Sequence, residues 1–133
     1  MSIDVTAEVT IDRDPQEIWD FMTDPAHEPE WIGGLKTARL VGEPPLTQGS
    51  RVERVASFLG KRIEYVNEVV ELDPPRLLEM HSVVAPFPMQ ITYTLDGNTV
   101  RNHVRGGGMR LMAPFVRRNI QRDLERLRDL LTP

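Results

Sequence analysis

The chain has no cysteine among its 133 residues. Disulfides and thiolate metal sites are therefore excluded. No apolar run approaches the ~20 residues that span a bilayer, so stable membrane insertion is not expected. The opening "MSIDVTAEVT" has no basic stretch followed by an apolar one, so no signal peptide is read and the cytoplasm is the expected compartment. Positive charge is in the minority: 16 Lys and Arg against 20 Asp and Glu give a net charge of −4. Phosphate backbones call for clustered cations, so nucleic acid is not an expected partner. Repeats and low-complexity linkers are missing too, and residues 1–133 read as a single domain.

What is present is strong periodicity. Ile3, Val5, Ala7, Val9 and Ile11 alternate with Asp4, Thr6, Glu8 and Thr10, the pattern of a half-buried strand. Asp14 and Pro15 then open a helix whose apolar face is Ile18, Trp19 and Met22, and Pro25 stops it. "AHEPEWIGG" predicts a second short helix or turn ending at Gly33 and Gly34. "LKTARLV" reads as a strand. Five further strands follow between Arg51 and Arg105, separated by good turn formers such as Gly60-Lys61 and Gly97-Asn98. The closing segment is a long amphipathic helix with Met112, Val116, Ile120, Leu124, Leu127 and Leu131 in one stripe. Arginines between Arg105 and Arg128 fall mostly on its other faces, interleaved with Asp123, Glu125 and Asp129, which reads as a solvated surface.

Turn positions predict which residues lie opposite each other, and opposite residues share a face. Closing the first hairpin over Gly60-Lys61 sets Ala56 against Tyr65, Arg54 against Asn67 and Val52 against Val69. The next turn pairs Val69 with Met80, Asn67 with Ser82 and Tyr65 with Val84. The third pairs Ser82 with Ile91 and Met80 with Tyr93. The last pairs Tyr93 with Asn102, Ile91 with Val104 and Met89 with Gly106. All four return one apolar face, the signature of a continuous antiparallel meander. His81, His103, Arg101 and Arg105 fall on the opposite face.

The apolar face also carries Arg54, Asn67 and Ser82 in a row, flanked by Tyr65, Tyr93 and Asn102. Buried polar groups are costly unless satisfied. Polar groups among aromatics and methionines are what a ligand cavity uses. The candidate ligand contacts are Trp31, Arg54, Phe58, Tyr65, Asn67, Met80, Ser82, Ile91, Tyr93, Asn102 and Val104, with Val116 and Ile120 from the helix.

The element order, with "DPQEIWDFMTDPAHEPEW", "QGSRVE", "ELDPPRLLEM" and the closing helix, resembles the helix-grip fold of the START-like or SRPBCC superfamily. Within it, the chain is similar to bacterial proteins of the polyketide cyclase/dehydrase and lipid-transport kind. The resemblance spans nearly the whole chain. It implies an α+β fold: a curved seven-stranded antiparallel sheet around the long C-terminal helix, with two short helices after the first strand. It implies a cavity between sheet and helix for a small apolar ligand (lipid, polyketide or quinone-like), but no particular reaction.

Binding or transport of such a ligand is the expected function, by a monomer or homodimer. One alternative is a cyclase or dehydratase in which Arg54 holds an enolate or carboxylate oxygen, Tyr65 or Tyr93 donates a proton, and Asn67 and Asn102 orient a carbonyl. No base is predicted on the inner face, and catalytic residues are otherwise not assigned. A protein-interaction module is the second alternative. No metal or cofactor is expected, since the three histidines are scattered. Gly106, Gly107 and Gly108 sit where strand meets helix. A phosphate loop there would need a Lys and a hydroxyl at fixed spacing, which are missing, so these glycines are read as a hinge at the cavity mouth.

Overall fold

The architecture is that of a computed structural model describing residues 2–58, 60–85, 88–107 and 112–133. Strand β1 (Ser2–Thr10) is followed by helices α1 (Pro15–Met22) and α2 (Glu28–Trp31), joined by a 3-10 turn at Pro25–His27. Strands β2 (Leu35–Val41), β3 (Arg51–Phe58), β4 (Lys61–Asp73), β5 (Leu77–Val84), β6 (Met89–Asp96) and β7 (Thr99–Gly107) come next, and helix α3 (Ala113–Leu131) closes the chain. Local chemistry explains the short helices. Asp14 accepts from the Gln16 N–H at 2.9 Å and caps α1. Asp24 does the same for Ala26 at 3.0 Å at the start of the 3-10 turn. Gly34 has φ +80°, and a Cβ there would lie 2.8 Å from the Ser57 carbonyl oxygen, so only glycine allows α2 to turn into β2.

All seven strands form one antiparallel sheet in the order β1-β7-β6-β5-β4-β3-β2. Register shifts in β4, at Val66/Asn67 and at Val69/Glu71, interrupt its ladder with β5. Such bulges bend a strand and increase its twist, which lets the sheet curl around α3. This is the helix-grip architecture expected from the sequence.

The expected pairings hold in part. The β6–β7 register matches throughout, with Tyr93 opposite Asn102 and Ile91 opposite Val104. Asn67 meets Ser82 and Val69 meets Met80 as expected, but a bulge puts Val66, not Tyr65, opposite Val84. Two hairpins close two residues away from the expected position. Phe58 pairs with Lys61, so Arg54 meets Tyr65, Ala56 meets Ile63 and Val52 meets Asn67. On the other side Met80 meets Ile91 and Leu78 meets Tyr93. The β5–β6 register runs from Leu77–Thr94 to His81–Gln90, and beyond it the Ser82 Oγ accepts from the Met89 N–H at 2.8 Å. A slip of two leaves every side chain on its original face.

The inner face carries the core. Its main cluster joins Ala7, Val9 and Ile11 of β1 to Ile18 and Trp19 of α1, Trp31 of α2, and Leu124, Leu127 and Leu131 of α3. A smaller cluster of Ile3, Val5 and Val104 lies under the first turns of α3, flanked by half-buried Met89, Ile91, Val116 and Ile120.

Candidate functional site

The polar groups of the inner face gather around a residue that the sequence pattern does not single out. Glu28 opens α2 three positions before Trp31, so one helical turn places both on the same side, and both are buried. Its carboxylate takes Arg54 Nε at 2.7 Å and Nη2 at 2.9 Å. Arg54 Nη2 also lies 3.8 Å from the Met80 sulfur. With the Asn67 amide turned so that its oxygen faces the guanidinium, that oxygen accepts from Arg54 Nη1 at 3.0 Å. Arg54 is therefore neither a rim residue nor a free cation. Its Nε and Nη2 are taken up by Glu28, a partner that the expectation of Arg54 holding a ligand carboxylate or enolate did not include. The expectation of no carboxylate on this face is corrected, because Glu28 arrives from α2 and not from the sheet.

Burial and charge act together here. Burial works to lower the Arg54 pKa, but the charge and hydrogen bonds of Glu28 outweigh it and raise the value above the ordinary one. Tyr65 and Tyr93 are both pushed up, first by burial; Arg54 opposes the shift and the negative charges of Glu28 and Asp123 add to it. Both phenols are held protonated at neutral pH and can only donate a proton or share a hydrogen bond. Tyr93 also packs edge-on against Trp31, with ring centroids 6.1 Å apart. Asp123 of α3 accepts from the Gly33 N–H at 2.9 Å and sits beside Arg126, tying the helix to the end of α2. Burial raises its pKa against the pull of those two partners.

The other expected site residues separate by exposure. Trp31, Asn67, Met80, Asn102 and Val104 are buried. Tyr65, Ser82, Ile91, Val116 and Ile120 are half-buried on the same inner face, toward the first turns of α3. The Phe58 side chain lies outside the described residues. At this end Ile3, Ser82, Met89 and Gly106 help line a depression of about 500 Å³ that also reaches Asp4, His81 and Arg105 on the outer face. Gly106 and Gly107 belong to β7, where they pair with Ile3 and Ser2. The Pro88 carbonyl oxygen would lie only 2.5 Å from a Cβ on Gly106, so glycine is required there by a close backbone approach. Gly108, the third expected hinge residue, lies outside the described residues. On the outer face Arg101 pairs with Glu8 and His103 with Asp4, while His81 bonds Glu79 although Glu68 lies opposite it.

This sheet, gripping one long helix over an inner face of mixed polarity, has the helix-grip fold. The chain belongs to the family described as polyketide cyclase/dehydrase and lipid transport, whose pattern it matches over residues 2–132. Among solved structures, the ginseng (Panax ginseng) major latex-like protein 151 superposes with a TM-score of 0.80 at 14% identity, covering 100% of this chain and 99% of its own. The Zhui aromatase/cyclase from Streptomyces sp. R1128 gives 0.75 at 17% identity, covering 98% and 94%. Likeness at such identities speaks for the fold. No curated protein sequence matches this chain. Among the described residues, no helix is long and apolar enough to cross a membrane.

Proposed function

We propose that this protein binds a small apolar molecule (lipid, polyketide or quinone-like) between its sheet and α3. The observation that carries this reading is the uneven closure of the inner face. Under the C-terminal half of α3 the core is shut, with Leu124, Leu127 and Val100 at 0% exposure. Toward the other end Tyr65, Ile91, Val116 and Ile120 are only partly buried, although their face is apolar. An apolar surface left partly open beside a buried polar cluster suits a ligand that buries its body and fixes its polar end. The depression beside Ser82, Met89 and Gly106 is the entrance in this reading. Native mass spectrometry of the purified protein tests it, together with thermal shifts against fatty acids, quinones and aromatic polyketides. A retained apolar ligand or a saturable shift supports it. A protein that is repeatedly empty and shifted by none of them overturns it.

A second reading, a cyclase or dehydratase, draws on one observation: burial holds Tyr65 and Tyr93 as protonated donors on the inner face. The Streptomyces neighbour is named for an activity of this type. Glu28 fits the base role poorly, since both its oxygens are engaged by Arg54. Turnover of a linear polyketide mimic that drops sharply in Tyr93→Phe would favour this reading; no turnover by the wild type would reject it.

A further inference from the structure

Two buried side-chain atoms find no hydrogen-bond partner among the described residues: Trp31 Nε1 and Asn102 Oδ1. They belong to residues only 1% and 4% exposed. Buried polar atoms are almost always satisfied, so each orphan asks for a partner. Both belong to residues that neighbour Tyr93. Trp31 meets Tyr93 edge-on, and Asn102 lies directly across from Tyr93 on the neighbouring strand. Their needs are opposite, because an indole N–H only donates and an amide oxygen only accepts.

We propose that the polar end of the bound molecule is a neutral hydroxyl, phenolic or alcoholic, held by Trp31 Nε1 and Asn102 Oδ1, and that the site turns carboxylates away. A hydroxyl both accepts and donates, so it serves both atoms. A carboxylate could take the Trp31 N–H, but at Asn102 it would need the amide turned to offer its N–H in place of the orphaned oxygen. Its charge would also lack a counterion, because Arg54 is committed to Glu28 through two hydrogen bonds and to Asn67 through a third.

This inference rests on the apolar-ligand reading, and one experiment separates the two. Naphthalene, 2-naphthol and 2-naphthoate share a ring system and differ only in the polar end. Calorimetric titration at pH 7 should give 2-naphthol an affinity roughly tenfold or more above both naphthalene and naphthoate, as a buried hydrogen bond would. Asn102→Leu and Trp31→Phe should each remove most of the naphthol advantage while naphthalene still binds, which also shows that the variants are folded. Naphthoate binding as tightly as naphthol overturns the proposal. So does naphthalene binding with no gain for naphthol, or a naphthol advantage that survives both substitutions. If neither naphthalene nor 2-naphthol binds the wild type, this proposal fails, while the apolar-ligand reading stands or falls separately on the mass spectrometry and thermal shifts.

Discussion

Removing the Glu28 carboxylate while Arg54 stays in place is the sharpest perturbation this structure offers. Both side chains are almost wholly buried, at 7% and 5% exposure, and are joined through two hydrogen bonds. Glu28→Ala would leave a guanidinium in the core with Asn67 as its remaining strong partner. Breaking a buried pair in this way costs about 3–5 kcal/mol. Unfolding entropy near 2.1 cal/mol/K per residue gives about 0.28 kcal/mol/K for a chain of 133 residues. The expected loss in Tm is then roughly 11–18 °C. Replacing both partners with apolar residues of similar size, as in Glu28→Leu with Arg54→Met, removes the two desolvation costs together. That double variant should lie within about 1 kcal/mol of the wild type or above it. Urea unfolding of wild type, both single variants and the double variant closes the cycle. High salt should change the coupling little, because a buried pair is poorly screened. A Glu28→Ala loss below about 1 kcal/mol, or a double variant as unstable as the two singles added, would show that the pair is not a coupled buried unit. Arg54 would then no longer count as closed to anionic ligands.

Other outcomes follow from the same geometry. Burial raises the Asp123 pKa, so the folded state holds that proton more tightly than the unfolded chain. Its contribution is fully present below the unfolded value of about 3.9 and is lost as pH rises through the elevated folded value. Asp123→Asn should therefore flatten the stability profile in that acidic window, seen by urea titrations at stepped pH; an unchanged profile counts against the assignment. Gly106→Ala places a methyl against the Pro88 carbonyl and should destabilise by about 1–3 kcal/mol; a neutral result in thermal unfolding would mean that the approach relaxes freely. Leu127→Ala should cost about 2–5 kcal/mol, since its site is fully closed. Val116→Ala, on the half-open part, should cost far less stability while weakening naphthalene binding, as denaturation and titration on the same samples would show.

The fold is legible in the sequence where a pattern is long and repeated. β1 alternates over nine residues, and each inward position from Ile3 to Val9 is buried. The inner-face residues survive the wrong turn closures because both errors are even, and an even slip does not turn a strand over. What sequence does not show is where each ladder ends, since beyond His81–Gln90 it is the Ser82 hydroxyl that meets the Met89 N–H. Glu28 is invisible for another reason. One charged residue in a four-residue helix makes no period, and its partner lies 26 positions away on β3. Only the folded chain brings them together. Asp123 likewise reads as part of a solvated helix surface, although it caps the Gly33 amide across 90 residues.

The pairing of β1 with β7 also bears on how the chain is born. Thr10 meets Thr99 across 89 residues of sequence, so β1 is made well before the strand that seats it. Until β7 leaves the ribosome, Ile3, Val5, Ala7 and Val9 have no neighbouring strand to pair with. At about 5–20 residues per second that wait lasts on the order of 5–20 s. The nascent protein therefore carries an apolar strand with a free edge for longer than most hairpins take to form. Asp4 and Glu8 lie on its other face and later meet His103 and Arg101. During synthesis those same charges discourage the waiting strand from pairing with its own copies on neighbouring ribosomes.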